Sequence, residues 1–293
     1  MLVGVSGKIE SGKDTVGLII QYLTDKYARR DGLTFQGWLD EWEDIDPEYN
    51  ATASPFAVKK FADTLKDIVC LLLNCTRYEL EDREFKEKEL GEEWWKYEVT
   101  CRDFADAVKL NKLFYDVKYY NSVEEAEEIV DKSGIINYTI KCIKLTPRLL
   151  LQLMGTECGR EILHPNIWVN ALMSGYKASN FMLDNNIQAR GVRFPDWIIT
   201  DMRFPNELKA VKDRNGITIR VNRQLPCGDV QFNGTQEEWE ELVKRNKEKN
   251  AKFNHPSETA LDNATFDYII DNVGTIEDLI VKVREILIRE KII

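Results

Sequence analysis

The sequence predicts an α/β protein whose mainly parallel sheet is covered by helices on both faces. Two observations carry this. Short apolar runs of strand length alternate with segments that are apolar on one helical face, and the first of these strands passes through a glycine-bracketed loop directly into a helix. Parallel neighbours need crossover connections, and right-handed crossovers lay the helices on the two faces of the sheet.

Leu2-Val-Gly-Val-Ser-Gly7 reads as a buried strand, and Val16, Ile19, Ile20, Leu23 and Tyr27 share one face of the helix that follows. Between them, Gly7 and Gly12 stand at the G-x-x-x-x-G-K spacing of a phosphate-binding loop. Glycine lets the backbone turn tightly enough for consecutive N–H groups to point at a triphosphate, and Lys13 then reaches its β- and γ-phosphates. The phosphates would lie at a helix N-terminus, the positive end of its dipole. The residue after the lysine, usually a serine or threonine that offers magnesium a hydroxyl, is Asp14, with Thr15 one place later. Asp14, Thr15 and a bound water are all open as the metal ligand.

Residues 31–55 carry scattered glycine and proline with an acidic run from Asp40 to Glu48, which lacks the glycine and ligand spacing of a calcium loop and is expected to be a solvated loop or short helix. Ala57-Val-Lys-Lys-Phe-Ala62 reads as the second strand. Asp63-Thr64 caps a helix with Leu65, Ile68, Val69, Leu72 and Leu73 on its apolar face, repeating the strand-to-helix join of the first unit. Residues 76–146 are heavily charged and rich in aromatics, among them Trp94, Trp95, Tyr97, Tyr119 and Tyr120. They are expected to form an inserted, mostly helical subdomain, with the aromatics packing a small satellite core in preference to stacking on a base.

Pro147 opens a helix with Leu149, Leu150, Leu153 and Met154 on its buried side, expected to end near Gly155 or Gly159, with Arg148 and Arg160 at its flanks. A helix over Ile167 to Tyr176 follows, Trp168 belonging to the core. Asp196-Trp-Ile-Ile-Thr-Asp201 is a buried strand with an acid at its carboxyl end, the end at which ligands bind in parallel sheets. A helix at about 205–214 and a strand Ile217-Thr-Ile-Arg-Val221 lead into the polar stretch Gln224 to Glu258, which contains a basic helical segment. Phe266-Asp-Tyr-Ile-Ile270 is the last strand. Thr275 and Asp278 sit at capping-box spacing before a final helix with Ile276, Leu279, Ile280, Val283 and Leu287 on one face.

At 293 residues and 43% hydrophobic, the chain can bury a sizeable core as one domain with insertions. A formal net charge of -10 disfavours binding to duplex nucleic acid, whereas a small anionic ligand needs only a local cluster of cations. Six cysteines without a C-x-x-C pair and two histidines, His164 and His255, argue against structural zinc. With the first strand starting at Leu2 and no apolar run of bilayer length, the expected location is the cytoplasm, with reduced thiols and no membrane partner. A homodimer is the expected assembly, on the general frequency of dimers.

Chemistry narrows the choice. Asp201 is followed by Met202 and Arg203 rather than by the second acid with which ATPase motors activate water, and an arginine beside the phosphates suits stabilisation of a transferring phosphoryl group. Transfer to a bound acceptor is therefore favoured over hydrolysis.

The order of parts resembles the nucleoside monophosphate kinase fold within the P-loop NTPases: a core of residues 1–75, 147–223 and 259–293, an acceptor-binding insertion at 76–146 and a lid at 224–258 that excludes water. More specifically, Gly7-Lys-Ile-Glu-Ser-Gly-Lys-Asp-Thr15, Phe61-Ala-Asp-Thr-Leu-Lys66, Arg148-Leu-Leu-Leu-Gln-Leu-Met-Gly-Thr-Glu-Cys-Gly-Arg160, Asp201-Met-Arg-Phe-Pro-Asn-Glu207 and His255-Pro-Ser-Glu258 together resemble the deoxynucleoside monophosphate kinases of bacteriophages and prophages. The Gly-Lys-Asp form of the loop also resembles phosphomevalonate kinase, so the loop alone does not choose.

The resemblance implies transfer of the γ-phosphate of ATP to the 5′-phosphate of a deoxynucleoside monophosphate with magnesium, in the host cytoplasm for a phage-encoded enzyme. It implies that Gly7, Lys8, Ser11, Gly12, Lys13, Asp14 and Thr15 hold the ATP phosphates and metal, and that Asp63 and Lys66 lie where the acceptor enters. Arg148 and Arg160 would clamp the acceptor's phosphate, Arg203 would stabilise the moving phosphoryl group, and Asp201 would order magnesium through water. The turn Asn272-Val-Gly-Thr275, with Gly274, occupies the place of the adenine site. His255 reads as a turn residue or a lid contact. Against a deoxynucleoside monophosphate kinase stand two other readings: a P-loop kinase of another phosphorylated small molecule, phosphomevalonate-like, or of a modified nucleotide, and a nucleotide-binding regulatory or DNA-associated module without transferase activity.

Overall fold

The structure, a computed structural model, describes residues 1–43, 54–101, 110, 119–182, 190–223 and 256–293. Its strands in chain order are β1 (Leu2–Gly7), β2 (Phe56–Lys59), β3 (Lys96–Cys101), β4 (Tyr119–Tyr120), β5 (Tyr138–Ile143), β6 (Ser179–Met182), β7 (Arg190–Arg193), β8 (Asp196–Met202), β9 (Ile217–Asn222) and β10 (Tyr268–Asp271). They belong to two compact units, residues 1–63 with 166–293, and residues 64–165.

The first unit is built on a five-stranded sheet in the order β10-β9-β1-β8-β2, every neighbouring pair parallel. Successive side chains of a strand point to opposite faces, and the two cores divide on that period. Val3, Val5 and Ile198 join Val16, Ile19, Ile20 and Leu23 of helix α1 (Lys13–Thr24) and Leu279, Val283 and Leu287 of the helix Ile276–Arg289. Leu2, Trp197 and Ile199, one position out of phase, join Val169 and Met173 of the helix Ile167–Met173 and Leu208 and Val211 of the helix Pro205–Lys212. Helices thus cover both faces, as the alternation of strands and helices requires. Chain order along the sheet reverses at β1, and the crevice outside the carboxyl end of such a strand is where α/β sheets bind ligands.

The second unit departs from the helical expectation for residues 76–146. Alongside the short helices Arg77–Glu81 and Arg83–Glu87 and the longer Val123–Ser133, it contains a three-stranded antiparallel sheet, β4-β3-β5. Val99 pairs with Ile140 and Tyr97 with Cys142 across β3 and β5. These alternating residues are half of a two-residue period whose other half is charged or polar, so dense charge hid the strand pattern. Val99, Tyr120, Ala126, Val130 and Ile135 form the satellite core expected there, and the Trp95 indole donates to the Leu90 carbonyl at 3.1 Å.

The helix opened by Pro147 also runs on. Pro147–Leu153 passes into a wider, π-type stretch, Met154–Leu163, instead of ending near Gly155 or Gly159. A Cβ at Gly155 would lie 3.0 Å from Leu65 Cδ2, so this glycine serves close packing against the helix Asp63–Leu73 and not a stop. Residues 64–75 and 147–165, expected with the main core, group with the insertion. Residues 35–43 form a helix where a loop or short helix was expected, and β6 with β7 adds a hairpin. Of the lid-like segment, residues 224–255, including His255, lie outside the described residues. Among the described residues no helix is long and apolar enough to cross a membrane.

Candidate active site

β1 delivers the loop Lys8–Gly12 to the carboxyl edge of the parallel sheet, and α1 begins at Lys13. Gly12 caps that helix at φ 93°, in the left-handed region that glycine occupies without strain. A Cβ at Gly7 would fall 2.2 Å from Ser11 Oγ and 2.7 Å from the Val221 carbonyl, and one at Gly12 would fall 2.5 Å from Asn272 Nδ2. Gly7 is therefore required by space, because the Val221 carbonyl is backbone, and Gly12 by its left-handed backbone angle. The first intrahelical bond runs from Val16 N to the Gly12 carbonyl at 2.9 Å, which leaves the amides of Lys13, Asp14 and Thr15 without carbonyl partners inside the helix.

Three features of the loop suit a bound phosphate chain. Those open amides sit at the positive end of the helix dipole. Ser11 Oγ is buried without a hydrogen-bond partner, an orphan that a phosphate oxygen would satisfy. Lys13 is only 7% exposed, with Nζ donating to the Lys8 carbonyl at 3.3 Å. Burial pushes its ammonium below the usual lysine range and the Arg203 guanidinium adds to this, while Asp14, Glu258 and Asp201 pull the other way. An ammonium so disposed gains by meeting a polyanion.

Asp14 is oriented from two sides. Thr200 Oγ1, near the end of β8, donates to Asp14 Oδ1 at 2.8 Å, and Lys60 Nζ lies 3.2 Å from the same oxygen. Burial raises its carboxyl, but the Thr200 hydrogen bond and Lys60 outweigh this and hold it below the usual carboxylate range. Asp14, with Thr15 next in the chain, offers oxygen donors of the kind that would suit magnesium. No group of three or more acidic, histidine or cysteine side chains able to hold a metal occurs among the described residues.

Asp201 is the penultimate residue of β8, and Arg203 directly follows the strand. Asp201 Oδ1 accepts the Phe61 amide at 2.8 Å and Oδ2 the Ala62 amide at 3.0 Å, tying the end of β8 to the turn after β2. Burial pushes this carboxyl above the usual range, opposed by the two amides and by Arg203. Arg203 is held at both ends. Glu207 Oε2 accepts the amides of Arg203 at 2.7 Å and Phe204 at 3.0 Å, and the guanidinium pairs with Glu258.

The turn at 272–275 reaches the loop directly: Asn272 Nδ2 donates to the Ser11 carbonyl at 2.9 Å, and Gly274 turns at φ 120° with Asp278 beside it. On the other side of the loop, Lys8 Nζ is 3.0 Å from Asp262, whose carboxylate also accepts from the buried Arg220 at 2.8 Å, while Arg220 donates to Ser6 Oγ at 3.0 Å.

Gly7 to Thr15, Asp201, Arg203 and Gly274 all belong to the first unit, as does Asp63, whose carboxylate accepts the Lys60 amide at 2.8 Å. Lys66, Arg148 and Arg160 belong to the second. There Lys66 pairs with Glu81, and Arg148 with Glu87 at 2.5 Å. Sequence reasoning did not single out Thr200, Lys60, Glu207, Arg220, Glu258 or Asp262. Arg220, a charge inside the apolar run Ile217–Val221, was the one detectable signal, and Glu207 and Glu258 lay inside motifs quoted for other residues.

The sheet order, the loop at the reversal point and the buried lysine define a P-loop NTPase fold of the kinase-like kind. The chain is similar to the deoxynucleoside-5′-monophosphate kinase of Escherichia phage T5, at 27% identity over 233 residues that cover 75% of this chain and 74% of that protein. No protein-family model matches the chain.

Proposed function

We propose that the protein is a nucleotide kinase that transfers the γ-phosphoryl group of ATP to the 5′-phosphate of a deoxynucleoside monophosphate. The observation that carries this is the pairing of a buried loop lysine with an arginine fixed by two carboxylates at the end of the neighbouring strand, in a chain similar to a phage deoxynucleotide kinase.

In this reading the loop amides and Lys13 bind the β- and γ-phosphates and Ser11 Oγ takes a phosphate oxygen. An oxygen of the acceptor's phosphate attacks the γ-phosphorus, the bond to the β–γ bridging oxygen breaks, and ADP leaves with that electron pair. The attacking oxygen is already anionic, so no general base is needed. Lys13 and Arg203 act by countering charge on the equatorial oxygens, the main service such a transition state can receive. Magnesium, held by Asp14 or Thr15, would neutralise charge across the β- and γ-phosphates. Asp201 contributes by fixing the Phe61–Ala62 turn, Gly274 shapes the turn proposed to meet adenine, and Asp63 and Lys66 flank the acceptor's entry. Arg148 and Arg160 hold its phosphate in bidentate fashion.

The test is ADP release from ATP and magnesium with each deoxynucleoside and ribonucleoside monophosphate, and with phosphomevalonate. Turnover on deoxynucleotides supports the proposal. Turnover on phosphomevalonate alone replaces it with the other small-molecule reading, and silence on the whole panel with ATP still bound contradicts it.

A further inference from the structure

Glu258 spans two parts of the site. Its Oε2 accepts the amide of Ile9, at the crest of the phosphate loop, at 2.6 Å, while Oε1 pairs with the Arg203 guanidinium. The side chain is only 5% exposed. A buried carboxylate is costly unless its lone pairs are met by donors or an opposite charge, and here one amide and one arginine meet them. The same contact commits the Ile9 amide to a protein acceptor.

Arg203 therefore has separate anchors for its two ends: Glu207 fixes the backbone at 2.7 Å and Glu258 the guanidinium. We propose that Glu258 is a positioning residue for phosphoryl transfer, one carboxylate setting the Arg203 guanidinium against the crest of the phosphate loop. The proposal rests on the nucleotide kinase reading above. Its physical basis is preorganisation. An arginine on a free stem samples many rotamers, and charge stabilisation in the transition state falls steeply once the donor strays by an ångström. Glu258 also belongs to the short helix Pro256–Thr259, so the competing role is a structural tie that merely anchors that helix.

Glu258→Gln separates the two. It keeps the volume and an acceptor for Ile9 but loses the charge that holds Arg203. The expected result is a kcat about 10- to 100-fold lower with the KM for ATP within about threefold of wild type, because the loss is confined to the transition state. Glu258→Asp, one methylene short but still charged, should recover part of that kcat. The decisive measurement is a double-mutant cycle with Arg203→Ala, read by single-turnover transfer from γ-labelled ATP. Because Glu258 acts through Arg203, adding Glu258→Gln to Arg203→Ala should cost less than about twofold more. Fully additive losses, or a fall in kcat matched only by loss of folded protein in thermal unfolding, overturn the proposal. Should wild type use none of the acceptors, the deoxynucleotide reading fails by itself, and the same cycle is read on slow ATP cleavage by water, where additivity again decides against the positioning role.

Discussion

Thr200 Oγ1 donates to Asp14 Oδ1 at 2.8 Å, so the acid that replaces the loop's usual hydroxyl residue is oriented from the adjacent strand β8. Removing the hydroxyl with Thr200→Val preserves shape and keeps the ion pair of Asp14 with Lys60. Outer partners of a metal ligand are typically worth 10- to 100-fold in metal affinity. The magnesium concentration for half-maximal turnover should therefore rise by about tenfold in this variant. An unchanged magnesium dependence would place the metal on Thr15 or on water alone.

Gly12→Ala tests which of two effects dominates at the loop. The new Cβ would approach Asn272 Nδ2 at 2.5 Å, and the backbone would be held at φ 93°. The first clash is with the end of a side chain and can be relieved by Asn272→Ala, but the left-handed backbone costs about 1 kcal/mol or more for any residue with a Cβ. The double variant should thus remain defective in ATP binding, measured by calorimetry. Full recovery in the double variant would make the steric contact the whole cause.

Asp201→Asn should destabilise the first unit by about 1–3 kcal/mol, because one of the Phe61 and Ala62 amides would face an amide donor in place of a carboxylate oxygen. Urea unfolding reads this directly. Wild-type stability together with weakened magnesium dependence would instead assign Asp201 a metal-ordering role.

Glu81 offers a pH test in the second unit. Burial raises its carboxyl, but hydrogen bonds from Lys66 and Lys86 outweigh that and lower it from 4.5 to about 2. A folded value below the unfolded one means stability that is present above about pH 4.5 and lost as pH falls toward about 2. The side chain is 48% exposed, so screening keeps the contribution below about 1 kcal/mol. Glu81→Gln should lower the Tm slightly at pH 7, and the gap to wild type should narrow as the pH falls below about 4.5 and close toward about 2. A gap that widens on acidification would contradict the ion-pair account.

The parts of the molecule legible in the sequence are those written in local periods. Strand β1 follows from a short apolar run, its glycines from the spacing of the loop and α1 from a 3.6-residue apolar pattern, and the capping box of Thr275 and Asp278 opens the last helix as its spacing requires. What was hidden depends on residues far apart in the chain. Glu258 meets Ile9 across 249 positions and Asp14 meets Thr200 across 186, and no local pattern announces either. The β4-β3-β5 sheet was obscured for a different reason, since charged residues alternate with its short apolar half-period. Gly155 misled because glycine marks close helix packing as well as helix ends.

The central claim is phosphoryl transfer onto a deoxynucleotide, and following the label from γ-labelled ATP tests it most directly. With wild-type protein, magnesium and a deoxynucleoside monophosphate, the label should appear in the β-phosphate of the deoxynucleoside diphosphate, and Lys13→Ala, still folded, should lower that rate by about 10³-fold or more. Label recovered only as inorganic phosphate, or transfer undiminished in Lys13→Ala, would contradict the account.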